Sequence, residues 1–125
     1  MPEVRIYIID DHPRFAKQTA EFLSAQLEYR VIGISNSGEQ GLAELAKLSC
    51  DVLLIDIAMP DMNGLEVVRR FRQRNTPAKI IVMSIEDSRP YRDSALQAGA
   101  DAFIAKEDLG DCVFDVIQKI TAGNC

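Results

Sequence analysis

The chain is expected to fold as a single α/β domain over residues 1–125, a five-stranded parallel sheet with helices on both faces. Two features of the sequence lead there. Five short apolar runs, rich in β-branched residues, recur at nearly even spacing, and between them lie stretches with apolar residues at helical spacing. A strand that is apolar throughout is buried on both faces, which is the condition of a parallel sheet held between two helix layers. Strand, helix and strand in succession are joined by right-handed crossovers.

The first run is Ile6-Tyr7-Ile8-Ile9. Asp11 then stands before Pro13, the arrangement of an N-cap with proline in the first turn. Ala16, Ala20, Leu23 and Leu27 continue as a helical stripe. Val31-Ile32-Gly33-Ile34 is the second strand, and Ser37 ahead of Gly38-Glu39-Gln40 has the form of a capping box. The second helix, Gly38, Gly41, Leu42, Leu45 and Ala46, is weakened by its glycines. Val52-Leu53-Leu54-Ile55 is followed by a stripe of Gly64, Val68 and Phe71, which Asn75-Thr76-Pro77 closes. Ile80-Ile81-Val82-Met83 leads to Tyr91, Ala95 and Ala98, with Gly99 as the stop. Ala102-Phe103-Ile104 and the stripe Leu109, Val113, Ile117 and Ile120 complete the pattern.

Composition narrows the function. Apolar residues make up 47% and charged residues 26%, a soluble globular balance. The net charge of −5 makes the chain a poor nucleic-acid binder by itself, because phosphate backbones need Lys and Arg to release counterions. Arg69, Arg70, Arg72 and Arg74 read as a solvated helix face. Cys50, Cys112 and Cys125 are an odd set with no C-x-x-C pair, neither a disulfide framework nor a zinc site. A reducing cytoplasm suits them. The N-terminus has no signal-peptide pattern and no apolar run is long enough to cross a membrane, so a cytoplasmic protein without a membrane partner is expected.

In open α/β sheets ligands bind beyond the carboxyl ends of the strands. Asp10 and Asp11 follow the first run, and the third ends on Asp56. Ser84 follows the fourth, and Lys106 follows the fifth after Ala105. Three close carboxylates repel one another unless a cation neutralises them. A hard divalent ion does so, and Mg²⁺ is the usual choice where a phosphate also coordinates. One carboxylate can then attack phosphorus and form an acyl phosphate, a reaction that needs mainly positioning and charge stabilisation. Lys106 offers a point charge to one phosphoryl oxygen and Ser84 a hydroxyl to another. Taken singly these are ordinary residues: Asp11 a cap, Ser84 and Lys106 polar strand ends. Their joint placement after four strands points to the chemistry. His12 reads as a solvent-facing residue at a helix start, and Tyr91 and Phe103 as packing residues.

These residues resemble the receiver family of response regulators. Ile8-Ile9-Asp10-Asp11-His12-Pro13 is similar to its acidic-pair motif. The segment from Asp56 through Ala58-Met59-Pro60-Asp61 to Asn63-Gly64-Leu65-Glu66 resembles its phosphoacceptor signature, the most specific signal in the chain. Met83-Ser84 and Gly99 to Lys106 resemble its hydroxyl and lysine motifs. The resemblance implies a flavodoxin-like fold with strand order 2-1-3-4-5, and a phosphoacceptor at Asp56. It implies Mg²⁺ bound by Asp11, Asp56 and the backbone carbonyl of Ala58, with Asp10 helping through water. It implies that Ser84 and Lys106 hold the phosphoryl group, that Ser84 and Phe103 switch on activation, and that the donor is a sensor histidine kinase. Two departures stand out. Lys106 is followed by Glu107 where proline is common in the family, so the loop after strand five is expected to differ. The aromatic is Phe103 and has no hydroxyl.

Rival chemistries fit less well. An FMN binder of the same fold needs a Ser/Thr/Gly-rich loop after the first strand, where this chain has Asp10-Asp11-His12-Pro13. An aspartyl-phosphate phosphatase places a second Asp two residues past the nucleophile, where Ala58 stands. A degenerate receiver would have no reason to keep Asp56, Ser84 and Lys106 together. The opening Asp10-to-Phe15, the Lys106-Glu107 step and the close Ile120-Thr121-Ala122-Gly123 are similar to receivers of the LuxR/NarL-type transcriptional regulators. DNA contact is then expected only through a domain beyond Cys125, with a homodimer forming on phosphorylation. The alternative is a stand-alone receiver acting by protein contact or phosphorelay.

Overall fold

The computed structural model describes residues 3–57, 63–85 and 89–122. Five strands, β1 (Val4–Ile9), β2 (Tyr29–Ser35), β3 (Val52–Asp56), β4 (Lys79–Ser84) and β5 (Ala102–Ala105), alternate with five helices. The helices are α1 (Pro13–Ser24), α2 (Gly38–Leu45), α3 (Gly64–Arg72), α4 (Arg89–Ala98) and α5 (Leu109–Ala122), the last entered through a 3₁₀ turn over Lys106–Asp108. All strand pairings are parallel and the order is β2-β1-β3-β4-β5, as the sequence predicts.

Alternation along the strands divides the core into two layers. Tyr7, Ile9, Leu53, Ile55, Ile80 and Val82 face α2, α3 and α4. Ile6, Ile8, Val52, Leu54, Ile81 and Met83 face α1 and α5. The central strands β1, β3 and β4 are therefore buried on both faces, as their unbroken apolar runs require. β2 departs from the expectation. It is the edge strand, and Ile34 keeps 39% of its surface exposed. Its register to β1 shifts between Ile6 and Tyr7, which leaves Ile32 as the extra residue. A Cβ at Gly33 would lie 2.6 Å from the Tyr7 ring, so glycine there is what lets that ring pack flat on the sheet.

The ends of several elements differ from the sequence reading. The N-cap of α1 is His12, with no side-chain cap bond, and not Asp11. The Asp10 carboxylate takes the His12 N–H instead, at 3.0 Å. α1 stops at Ser24, so Leu27 falls in the following turn and is 94% exposed. Ser37 does cap α2, accepting from the Gln40 N–H at 3.2 Å, while Ala46 is its exposed C-cap. Among the described residues no peptide bond is cis.

Candidate functional site

Asp10, Asp56 and Ser84 leave the sheet at the carboxyl ends of β1, β3 and β4, and Lys106 immediately follows β5. The backbone holds them there. The Asp10 N–H donates to Ser35 O at 3.0 Å and the Ile57 N–H to Met83 O at 2.9 Å, so each ladder runs one residue past its strand. Asp10, Asp56 and Ser84 are buried, whereas Asp11 sits at the rim.

The carboxylates converge. Ligand atoms of Asp10, Asp11, His12 and Asp56 all lie within 4.8 Å of one another. Lys106 Nζ reaches in from β5, 3.1 Å from Asp10 Oδ2 and 3.4 Å from Asp56 Oδ2. Its opposite side rests on the Phe15 ring, 4.5 Å from the centroid, a cation–π contact that fixes the ammonium from the apolar side. Three carboxylates against one ammonium leave two negative charges to be neutralised. Oδ2 of Asp10 and Oδ1 of Asp11 are buried, and beyond the ion-pair contacts with Lys106 Nζ and His12 Nδ1 at 3.1 Å neither has a hydrogen-bond partner among the described residues. Buried anionic oxygens of that kind are costly unless a cation meets them, and an all-oxygen set suits a hard divalent ion. The residues present thus fit Mg²⁺.

Ser84 opens on a cleft of about 490 Å³ beside Asp56, walled by Ile57, Leu65, Ile85 and Tyr91. Tyr91 is 42% exposed and lines this cleft, so it is only partly the packing residue the sequence suggests. Phe103 is buried in the α4 layer, with the Arg92 guanidinium 5.0 Å above its ring. Ala58, whose carbonyl is the third expected metal ligand, lies outside the described residues, as does most of the phosphoacceptor motif between Ile57 and Asn63.

His12 stands exposed at the helix start as the sequence suggests, but its ring faces solvent on one side only. Its side chain is half exposed, but Nδ1 is turned into the acid cluster: 3.1 Å from Asp10 Oδ1, 3.1 Å from Asp11 Oδ1 and 3.5 Å from Asp56 Oδ2. Arg72 was expected on a solvated face with Arg69 and Arg70. Those two do pair with Glu66 along the helix. Arg72 instead donates to Gly99 O, Ala78 O and the Asp101 carboxylate, tying α3 to the edges of β4 and β5. Nothing in local periodicity distinguishes it from its neighbours.

A fold with three carboxylates at two strand ends, a hydroxyl and a lysine at one edge defines a phospho-signalling receiver class. The response regulator receiver domain family matches residues 6–114, and the chain belongs to that family. It is 32% identical over 121 residues to the transcriptional regulatory protein DegU of Brevibacillus brevis, covering 97% of this chain and 51% of DegU. It is 30% identical over 118 residues to the nitrate/nitrite response regulator NarL of Escherichia coli, covering 94% of this chain and 55% of NarL. Among solved structures, the receiver domain of the NarL-like regulator of Mycobacterium tuberculosis superposes with a TM-score of 0.91 at 28% identity, over 98% of this chain and 99% of that one. The chain is thus a receiver of the NarL/LuxR type, and it spans about half the length of the curated relatives it matches. Receivers of this kind are not enzymes in the ordinary sense, and no helix among the described residues is long and apolar enough to cross a membrane.

Proposed function

We propose that this chain, over residues 1–125, accepts a phosphoryl group on Asp56 from the phosphohistidine of a sensor histidine kinase in the cytoplasm. The observation that carries the reading is the approach of Lys106 Nζ to within 3.4 Å of the Asp56 carboxylate, with Asp10 and Asp11 beside them. A carboxylate oxygen of Asp56 bonds to phosphorus as the phosphorus–nitrogen bond breaks, and the electron pair leaves with the imidazole. Asp11, Asp56 and the carbonyl of Ala58 would hold Mg²⁺ directly and Asp10 through water. The ion supplies charge neutralisation for the phosphoryl oxygens. Lys106 takes one of those oxygens and Ser84 another. Hydrolysis of the acyl phosphate resets the protein, and apart from the transfer from the kinase, self-phosphorylation from a small phosphodonor and this autodephosphorylation are its only reactions. Ser84 and Phe103 carry the switch to the face of α4 and β5. The output is control of transcription through a DNA-binding domain outside this chain. The alternative output is a stand-alone receiver acting by contact or phosphorelay.

Incubation with acetyl phosphate and Mg²⁺ followed by intact mass measurement tests the site. One phosphoryl group should appear on the wild type and none on Asp56→Asn. Full labelling of Asp56→Asn would move the phosphoacceptor elsewhere.

A further inference from the structure

The one group at the acid cluster that the phosphoryl chemistry does not use is His12. Its Nδ1 is surrounded: carboxylate oxygens of Asp10 and Asp11 at 3.1 Å, one of Asp56 at 3.5 Å, and Lys106 Nζ at 3.3 Å. Adjacent ligands of an octahedral ion at the usual bond lengths stand about 3.0 Å apart. The separation from Nδ1 to Asp11 Oδ1 is therefore that of neighbouring ligands on one cation, and the hydrogen bond with Asp10 Oδ1 at 3.1 Å holds the ring there. The pattern has a second observation behind it. Asp10 is wholly buried, and its Oδ2, aimed into the cluster, has the Lys106 ammonium at 3.1 Å as its one partner among the described residues, so the carboxylate stays turned toward the cation site. The backbone supports the ring's position, since His12 is the N-cap of α1 with Pro13 fixing the next residue and its own N–H held by Asp10.

We propose that His12 supplies Nδ1 as a ligand to the divalent cation of this site, making it a mixed nitrogen–oxygen centre that favours borderline first-row cations such as Co²⁺ over Mg²⁺. The inference rests on the reading of Asp10, Asp11 and Asp56 as a metal site and deepens it. The chemistry is direct: carboxylate and carbonyl oxygens suit Mg²⁺, whereas imidazole nitrogen raises affinity for later divalent ions. Mg²⁺ retains its oxygen ligands and loses little when the ring is removed. A shell that gains one nitrogen also explains why the ring turns inward when the helix start leaves half of it open to water.

Two properties of the chain make the test clean. It contains one histidine, so any histidine nitrogen on a bound ion in the untagged protein is His12. The ligation can also be read without phosphorylation. Mn²⁺ is bound to the untagged chain and pulsed electron paramagnetic resonance is recorded for nitrogen coupling. Co²⁺ and Mg²⁺ affinities are measured by calorimetry for wild type, His12→Ala and His12→Asn, the last keeping a residue suited to an N-cap. Circular dichroism establishes that the variants fold. The expected result is a histidine nitrogen coupling in wild type that both variants lose. Co²⁺ binding should weaken about tenfold or more in the variants, with Mg²⁺ binding changed less than about threefold. Absence of the coupling in wild type, or an unchanged ratio of Co²⁺ to Mg²⁺ affinity, overturns the proposal. In that case labelling of Asp56 by acetyl phosphate with Mg²⁺ still proceeds and the receiver reading stands. Failure of wild type to bind any of the three ions overturns both.

Discussion

Asp10, Asp11, Asp56 and Lys106 meet because each ends or follows a strand, and at the opposite edge of the sheet the amino ends of β4 and β5 are held by Arg72. Its guanidinium spends its donors on Gly99 O at 2.9 Å, Ala78 O at 2.9 Å and Asp101 Oδ2 at 2.7 Å, and the same Asp101 oxygen accepts the Ile80 N–H at 2.8 Å. Charge-assisted bonds to partly buried carbonyls contribute more than an exposed ion pair does. Arg72→Ala should lower stability by about 2–3 kcal/mol in urea unfolding. Arg72→Lys should recover less than half, since one ammonium cannot span three acceptors. A loss as small as that of an exposed arginine would remove Arg72 from this role. Cys50 gives a second test. Burial, and then the neighbouring Asp51, push its thiol up from 9.0 to about 11. The unfolded chain ionises first as pH rises, so the stability tied to the neutral thiol is intact below pH 9 and lost as pH climbs through about 11. Wild type should therefore lose more stability than Cys50→Ala between pH 8 and pH 11, by up to about 2 kcal/mol. Equal losses would mean that Cys50 titrates normally.

At the scale of elements, the joint between β3 and α3 positions Asp56, the proposed phosphoacceptor. Asn63 caps α3 by accepting the Leu65 N–H at 2.8 Å, and the Gly64 N–H donates to Ile57 O at 2.9 Å. A Cβ on Gly64 would stand 2.7 Å from the Cα of Ile57 and would overlap the carbonyl of Asp56, both backbone atoms that cannot step aside. Helix propensity alone says that Gly64→Ala stabilises α3 by about 1 kcal/mol. The contact says the opposite: overpacking against backbone costs about 1–3 kcal/mol and pushes Asp56 away from Lys106. The net outcome should be a lower unfolding midpoint together with slower labelling by acetyl phosphate. A more stable variant with normal labelling would show that the joint has room to relax. The turn after α4 works differently, because Gly99 has φ +119 and a side chain there is strained whatever the space.

For the whole molecule, the two helix layers cover different faces of the sheet. α1 and α5 hold the Lys106 side of the sheet, and α2, α3 and α4 hold the layer that contains Phe103. On the latter side Arg89, Arg92 and the half-exposed Leu96 frame a concave surface at Phe103. An acidic domain with net charge −5 is a poor binder of DNA, so the transcriptional output proposed above would pass through a partner surface. On the proposed function, phosphorylation would shift a pre-existing equilibrium toward a form that pairs with a second copy. Sedimentation velocity with acetyl phosphate and Mg²⁺ should show a monomer becoming a dimer, and Asp56→Asn should stay monomeric. A phosphorylated wild type that remains monomeric at micromolar concentration would rule out dimerisation through this domain.

The order of strands and helices was legible because periodicity is a local property: apolar runs and helical stripes depend on residues a few positions apart. The same holds for the strand-end positions of Asp10, Asp11, Asp56, Ser84 and Lys106, since a fold of this class sends every strand's carboxyl end to one edge. Direction and partnership, at that edge and at the opposite one, were not legible. Lys106 meets Asp10 across 96 positions of sequence, and Arg72 meets Gly99 across 27. No local pattern separates Arg72 from the exposed Arg69 and Arg70, nor tells whether His12 turns to water or to the carboxylates. The need for glycine at Gly33 and Gly64 is likewise set by what comes near, the Tyr7 ring in one case and the backbone of β3 in the other. The sequence by itself thus determined which elements form and which chemical groups reach the edge of the sheet. Only the tertiary structure decided which of those groups touch, because contact between distant segments depends on how the packed layers bring them together.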